Sequence, residues 1–303
     1  MNLRLTSRTS ALARAQTEIA VELLKKIKFS ISDIIYLKTQ GDLKLDTPLI
    51  KEGGKGLFIK ELEVLLLEDI ADVGVHSLKD VPIIKNENLE ICAYIENSSP
   101  FDCLVGPYQS IEELPFQAVI GTSSLRRAAQ ITVIRSDLQI KMLRGNVLTR
   151  IHKLKQKEFD AIILAQAGIE RLNLKEDYYV MKLTEMVPAF NQGIIGLQIC
   201  TNKKILKEKI NLINTDAVKV RVEWERAIAK IFNATCQSAF GVYANVVCLF
   251  PLNIELTVFC YKNENQHRRL TANFRDLDEA IRMLKDYFEL DTIDWSLCEK
   301  EFF

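Results

Sequence analysis

The sequence predicts an α/β protein with two lobes, each built on a mixed, mainly parallel sheet, and a small C-terminal α+β domain with an antiparallel sheet. Three observations support this prediction. Single strand patterns alternate with single helix patterns through about two thirds of the 303 residues, which is typical of βαβ units. Loop-like stretches at 96–102 and 186–196 fit two crossings between lobes. The last third carries consecutive strand patterns instead.

The first lobe is expected to comprise residues 1–97 and 194–214, because the chain leaves it and returns. Ser10 is a suitable N-cap for a helix that runs to about Lys26. The predicted buried face of this helix carries Leu12, Ala15, Ile19, Leu23 and Ile27. The other elements predicted for this lobe are strands at 33–39, 71–77 and 89–95 and a helix at 56–70.

Residues 98–193 are expected to form the second lobe, in which each strand leads into a helix. The predicted strands are 118–123, 140–145 and 159–165, and the helices are 124–134, 146–156 and a short one that ends near 172. The C-terminal domain is predicted at 215–303. Its predicted elements are a helix at 216–232, strands near 240–249, 253–261 and 267–274, and a helix at 277–288.

Composition excludes several functional classes. The 40 Lys and Arg residues equal the 40 Asp and Glu residues, which opposes general nucleic-acid binding. There is no signal-peptide pattern and no run near the ~20 apolar residues of a membrane span, so we expect a cytoplasmic protein that binds no membrane. Seven cysteines without a C-x-x-C, and three histidines far apart in sequence, oppose a disulfide framework and a metal site.

Four junctions share one design, in which a strand is expected to end and small or polar residues open a helix. They are "TSRTSAL", "GTSSLRR", "LRGNVLTR" and "NQGIIG". The free N–H groups and the dipole of a helix N-terminus favour anions. Arginines stand at three of the junctions: Arg8, Arg126, Arg127, Arg144 and Arg150. Since open α/β sheets bind ligands at such strand ends, a cleft for a polyanion is predicted.

Two further stretches are candidates for chemistry. "GGKGLF" at 53–58 fails the phosphate-loop pattern, because Lys55 precedes glycine, and the segment 43–56 fits a flap over the cleft. "GVHSLKDVP" places Ser77, Lys79 and Asp80 after a strand. From spacing alone it is either an ordinary turn capped by Asp80 or a proton-handling site.

Seven long stretches occur in an order that matches one enzyme family. They are "GGKGLFIKELE", "VGVHSLKDVP", "GTSSLRRAAQ", "LRGNVLTR", "FDAIILAQAGIERL", "VPAFNQGIIG" and "CQSAFGVYA". Together they span nearly the whole chain, which resembles the hydroxymethylbilane synthase family, also called porphobilinogen deaminase. The resemblance implies two periplasmic-binding-protein-like lobes and a third domain that carries a covalent cofactor.

The resemblance also implies the activity. A dipyrromethane primer is bound through a thioether to the cysteine of the "CQ" motif, here Cys236. Four porphobilinogen molecules then condense onto it, each losing ammonia, and hydrolysis releases hydroxymethylbilane. Asp80 is implied as the catalytic carboxylate that stabilises positive charge next to the pyrrole N–H groups.

The remaining implied contacts are with the carboxylates of these pyrroles. The cofactor-binding residues are implied to be Lys79, Thr122, Ser123, Ser124, Arg126 and Arg127. The substrate-binding residues are implied to be Arg8, Ser10, Lys55, Phe58, Ser77, Arg144, Gly145, Asn146, Arg150, Arg171 and Gln192. The family pattern is broken at Phe101, Leu148, Asn191 and Ala234–Thr235. We expect a monomer, and the alternative is a two-lobe protein that binds an anion or a tetrapyrrole without catalysis.

Overall fold

A computed structural model describes residues 1–39, 59–83, 86–235 and 238–302. Its strands form three sheets, two of five strands and one of three. The mixed α/β fold with a C-terminal antiparallel sheet is therefore confirmed. Within each five-stranded sheet two pairings are parallel and two are antiparallel. The domain bounds given above stay a prediction.

The first sheet has the strand order β2-β1-β3-β10-β4. These strands are β1 (Asn2–Arg8), β2 (Ser30–Leu37), β3 (Val73–Ser77), β4 (Leu89–Glu96) and β10 (Ile194–Cys200). The helices of this part are α1 (Ala11–Lys26), α2 (Lys60–Leu67) and α6 (Lys204–Ile210). A 3-10 turn, Leu78–Asp80, follows β3, so the "SLKD" stretch begins where this strand ends.

The prediction that "NQGIIG" opens a helix is wrong, because Ile194 begins β10. This strand lies between β3 and β4, and all seven of its residues are buried. A strand covered on both faces reads as an apolar run without alternation, which periodicity cannot assign. Gly196 permits the close packing there, since a Cβ would lie 2.9 Å from Leu78 Cδ1.

The buried face of α1 is rotated by about one residue from the predicted one. It consists of Ala13, Gln16, Thr17, Ala20 and Leu24. Two alanines allow the helix to approach the sheet, and the two polar side chains have partners. Thr17 Oγ1 donates to Ala13 O at 2.8 Å, and Gln16 Nε2 donates to Ser77 Oγ at 2.8 Å. Because Gln16 and Thr17 are hydrogen-bonded, they can be buried. A prediction of the buried face from hydrophobicity alone therefore misses them.

The second sheet has the order β7-β6-β8-β5-β9. Its strands are β5 (Asp102–Val105), β6 (Val119–Thr122), β7 (Gln139–Met142), β8 (Ala161–Ala165) and β9 (Tyr178–Val180). Its helices are α3 (Leu125–Ile134), α4 (Val147–Lys155) and α5 (Gln166–Arg171). Apolar clusters pack on both faces of this sheet, around Leu104 and Ile163 and around Val105 and Ile162. Alternating residues of β5 and β8 thus face opposite cores.

The C-terminal sheet is antiparallel, in the order β11-β12-β13. Its strands are β11 (Phe240–Leu249), β12 (Leu252–Asn263) and β13 (Gln266–Phe274), and its helices are α7 (Asp216–Ile231) and α8 (Leu277–Phe288). Trp224 and Ile228 of α7, Val242 of β11 and Phe288 of α8 share one buried core. No helix among the described residues is long and apolar enough to cross a membrane.

The two crossings between the five-stranded sheets lie side by side. Gly193 has φ +87°, and a Cβ there would lie 2.9 Å from Ser98 O, so only glycine fits this approach. Asn191, at a position where the family pattern has glycine, has φ +56° and donates through Nδ2 to Glu225 Oε2 at 3.1 Å. Asparagine tolerates this backbone region, so the departure keeps the turn.

The other departure at a crossing, Phe101, makes a contact with the C-terminal domain. The Phe101 ring lies 5.6 Å from the Tyr243 ring, centroid to centroid. The guanidinium of Arg221 in α7 in turn lies 4.9 Å from the centroid of the Tyr243 ring. Aromatic and cation–π contacts thus connect the crossing to α7 and β11.

Candidate active site

A cavity of about 620 Å³ is lined by residues of both five-stranded parts, of the second crossing and of the C-terminal domain. On the side of the first sheet it is lined by the predicted residues Arg8, Ser10, Ser77, Lys79 and Asp80. Arg8 ends β1, and Ser10 caps α1 by accepting a hydrogen bond from Ala13 N at 3.2 Å. The carboxyl ends of β1 and β3 therefore meet at one edge, as parallel neighbours must.

On the side of the second sheet, two strand–helix junctions line the cavity. They contribute the predicted residues Ser123, Ser124, Arg126, Arg127, Arg144, Gly145, Asn146 and Arg150. Asn146 caps α4 by accepting from Thr149 N at 2.9 Å, and Arg150 Nε donates to Gly145 O at 2.8 Å. Two helices of this side, α3 and α4, have their N-termini at the cavity, and so does α1 of the other side. Such termini favour a negatively charged ligand.

Arg126 and Arg127 are bound to a buried carboxylate. Asp102 is fully buried and accepts from Arg126 Nη1 at 2.7 Å and from Arg127 Nη2 at 2.7 Å. Arg126 Nη1 also donates to Val187 O, and Arg127 Nη1 to Ile163 O. The two guanidiniums overcome the effect of burial and hold the pKa of Asp102 well below its usual range. Both arginines also line the cavity.

The cations of the cavity are crowded. Burial, then repulsion from Arg127, lowers the pKa of Lys79 to about 8. Burial, then repulsion from Arg127 and Arg144, lowers the pKa of Arg150 to about 10. Asp80 opposes both shifts, so its charge acts on a cation of each lobe. This excess of positive charge fits dipyrromethane, since each of its pyrrole rings carries an acetate and a propionate.

Arg171 and Gln192 lie where the crossings border the cavity. Arg171 Nη2 donates to Asn97 Oδ1 at 2.8 Å and to Gly193 O, so it joins α5 to both crossings. Burial lowers the pKa of Arg171 to about 10. Gln192 is 1% exposed and uses both ends of its amide on protein atoms. These two side chains hold the crossings in addition to bordering the cavity.

The remaining predicted site residues are placed differently. Thr122 is fully buried at the end of β6, and its hydroxyl accepts from Ser124 N at 3.2 Å. It therefore holds the backbone of the junction that leads into α3. Lys55, Phe58 and the predicted flap at 43–56 lie outside the described residues. Cys236 lies outside them as well, but Thr235 and Ser238, on either side of it, both line the cavity. Thr235 N donates to Ser238 Oγ at 3.0 Å.

Sequence reasoning missed two polar residues of the site. Gln16 lines the cavity and exchanges hydrogen bonds with Ser77, and its signal was a polar residue between Ala13 and Ala20 on a small-residue face. Asp102 binds Arg126 and Arg127. The sequence feature that could have indicated it is an acidic residue directly before the apolar run "CLVG". Among the described residues, no group of three or more His, Cys, Asp or Glu side chains could hold a metal ion.

Comparisons with known proteins point to one family. Residues 3–208 match the family model described as "Porphobilinogen deaminase, dipyromethane cofactor binding domain". The porphobilinogen deaminase of Campylobacter fetus subsp. fetus is 44% identical over 247 residues, which is 81% of each chain. That of Campylobacter hominis is 43% identical over 248 residues, or 80% of each chain.

The comparison with solved structures matches the probable amino-acid ABC transporter extracellular-binding protein ytmK of Bacillus subtilis. It is 11% identical to this chain, with a TM-score of 0.44, and the match covers 76% of this chain and 96% of that one.

Proposed function

The chain belongs to the porphobilinogen deaminase family, and from that premise we propose which of its residues perform the reaction. Its function is that of a hydroxymethylbilane synthase, a transferase that condenses porphobilinogen units with loss of ammonia and releases the product by hydrolysis. The non-catalytic alternative is not favoured by any observation. The observation that carries the assignment of roles is the crowded set of cations around Asp80.

The cations and helix N-termini bind the acetate and propionate groups of the pyrroles. Dipyrromethane, when bound, supplies the primer to which substrate is joined. The cofactor is held by Lys79, Ser123, Ser124, Arg126 and Arg127, with Thr122 beneath them. Substrate carboxylates are held by Arg8, Ser10, Ser77, Arg144, Gly145, Asn146, Arg150, Arg171 and Gln192, and Lys55 and Phe58 belong to the same proposal. Guanidinium groups suit this role because they bind carboxylates in a bidentate manner.

Asp80 is the catalytic carboxylate. It follows β3 in a 3-10 turn, is half-buried and borders the cavity, where its charge opposes the lowering of the pKa of Lys79 and of Arg150. A carboxylate there accepts hydrogen bonds from pyrrole N–H groups while ammonia leaves and positive charge develops on the substrate. We assign to it as well the acceptance of the proton that the ring carbon loses. A preorganised charge of this kind is worth ~10²–10³ in rate.

Cys236 carries the cofactor through a thioether. Support comes from its neighbours Thr235 and Ser238, which both line the cavity. Of the other cysteines, Cys92, Cys103, Cys200 and Cys260 are buried, and burial raises the pKa of each, which keeps these thiols protonated and unreactive. We further propose that the protein acts as a monomer in the cytoplasm, without nucleic acid or membrane.

Intact-mass measurement tests the attachment. Protein from a porphobilinogen-producing host is expected to exceed the sequence mass by two porphobilinogen units less two ammonia, and to give colour with acidic Ehrlich reagent. Cys236→Ser should lose both signals. Cys248→Ser is the matched control, because Cys248 is the exposed thiol in the C-terminal sheet, and it should keep both. A parent mass equal to that of the bare chain contradicts the attachment.

A further inference from the structure

The side chain of Gln192 joins the two lobes at the edge of the cavity. Its Oε1 accepts from Lys79 Nζ at 3.2 Å, on the side of the first sheet. Its Nε2 donates to Pro100 O at 2.7 Å and to Asp102 Oδ1 at 3.1 Å, on the side of the second sheet. One buried amide thus connects the lysine beside Asp80 to the carboxylate that binds Arg126 and Arg127.

The orientation of this amide is fixed by its neighbours. Pro100 O and Asp102 offer only acceptors to one end, and the Lys79 ammonium offers only donors to the other. A flipped amide would set its oxygen against two oxygens and its N–H groups against an ammonium. The amide dipole therefore points its negative end at the lysine, whose charged form it stabilises.

The backbone of Gln192 is held as firmly as the side chain. Gln192 O accepts from Arg221 Nη2 at 2.9 Å, and Arg221 forms a buried ion pair with Glu225 at 2.8 Å. Glu225 also accepts from the backbone N–H of Asn191. Helix α7 thus fixes the backbone of the crossing from the C-terminal side.

From these contacts we propose that Gln192 is a positioning residue, which holds the Lys79 ammonium beside Asp80 and ties it to the Asp102 cluster of the other lobe. The claim rests on the proposed role of Lys79 in binding the cofactor and adds the group that orients it. The charged groups that face Lys79 among the described residues are Arg127, Asp80, Asp102 and Arg126. The two arginines repel the Lys79 ammonium, so an acceptor such as Gln192 Oε1 is important for keeping Lys79 protonated.

The test is the pH at which Lys79 becomes reactive in the purified, cofactor-bearing protein. Acetic anhydride labels unprotonated amines, and mass spectrometry of the peptide that contains Lys79 gives the midpoint. The midpoint of the parent protein is the reference against which the variants are compared. Gln192→Met removes the acceptor and should lower the midpoint by about one unit, since a hydrogen bond to a charged group contributes about that much.

Two variants make this test decisive. Gln198→Met removes another buried amide, which binds Glu63 and does not border the cavity, and it should leave the midpoint unchanged. Gln192→Asn keeps an amide that is one methylene too short to reach both sides, and it should shift the midpoint even if the methionine variant is unstable. An unchanged midpoint in folded Gln192→Asn and Gln192→Met overturns the proposal. A shifted midpoint with normal turnover supports the positioning and contradicts the cofactor-binding role of Lys79.

Discussion

Arg126–Arg127 and Arg144–Arg150 are equivalent in sequence, because each pair stands where a strand of the second lobe gives way to a helix. In the structure the first pair is 3% and 5% exposed and shares the carboxylate of Asp102. The second pair is half-buried and borders the cavity beyond β7, which is separated from the strand of Asp102 by two strands. The same motif therefore supplies cations bound to a buried carboxylate in one place and more exposed cations in the other.

The two pairs differ in how far nearby carboxylates compensate the positive charge of the arginines. Asp102 stabilises the charged form of Arg126, although burial still lowers its pKa. For Arg150, Asp80 is the one charge among the described residues that favours the protonated form, while burial and repulsion from Arg127 and Arg144 lower the pKa to about 10. An uncompensated cation gains most from a bound carboxylate. We therefore expect substitutions in the first pair to affect stability most, and those in the second to affect ligand binding most.

The largest expected effect is on stability. Arg127→Leu leaves Asp102 buried with one guanidinium fewer and should lower the free energy of unfolding by about 3–5 kcal/mol. Arg150→Leu is the matched control, and it should lower it by less than about 1 kcal/mol, because Arg150 has no buried ion pair among the described residues. Urea unfolding followed by circular dichroism measures both. Equal losses in the two variants would abolish the distinction between the pairs.

The next effect concerns the carboxylate opposite the second pair. Asp80→Asn should reduce turnover of porphobilinogen by ~10²–10³, because the charge that stabilises the cationic substrate is lost. Asp80→Glu keeps the charge and should retain part of the activity. A rate for Asp80→Asn above about a tenth of the parent, in protein that carries cofactor, lies far outside this range and would remove Asp80 from the mechanism.

Much of the fold was predictable, because α1, α7, α8 and the C-terminal strands carry clear periodicity and capping signals. Strands β5, β9 and β10 were not predicted, since short or fully buried strands lack alternation. Several predicted site residues, such as Arg8, Lys79 and Arg144, stand near strand ends, and the structure brings them to one cavity. Their bonding was not predicted, because a partner such as Asp102 or Gln16 is set by tertiary packing and has no local pattern.

A smaller effect is expected for single arginines of the second pair. Arg150→Leu should weaken substrate affinity about tenfold to a hundredfold, from the loss of one charge-assisted contact of roughly 1.5–3 kcal/mol. Partially extended enzyme should then accumulate, visible by intact mass. Arg150→Lys should restore only part of the affinity, because an ammonium lacks the planar fork. The control is Arg275→Leu, an exposed arginine of the C-terminal domain outside the cavity, which should behave like the parent.

The smallest effect is a pH dependence that belongs to the first pair alone. The folded-state pKa of Asp102 lies below its unfolded value, so the unfolded chain binds more protons there and the cluster loses stability as pH falls. The loss begins near the unfolded pKa, about 4, and amounts to at most about 1.4 kcal/mol per pH unit below it. Urea midpoints at pH 5, 4 and 3 should therefore fall more steeply for the parent than for Asp102→Asn, whose amide does not titrate.

Arg150→Leu keeps Asp102 and its partners, so its slope should match that of the parent. If the urea midpoints of the parent and of Asp102→Asn fall equally with pH, acid destabilises the protein through other carboxylates. The charge of Asp102 would then make no net contribution to the free energy of folding.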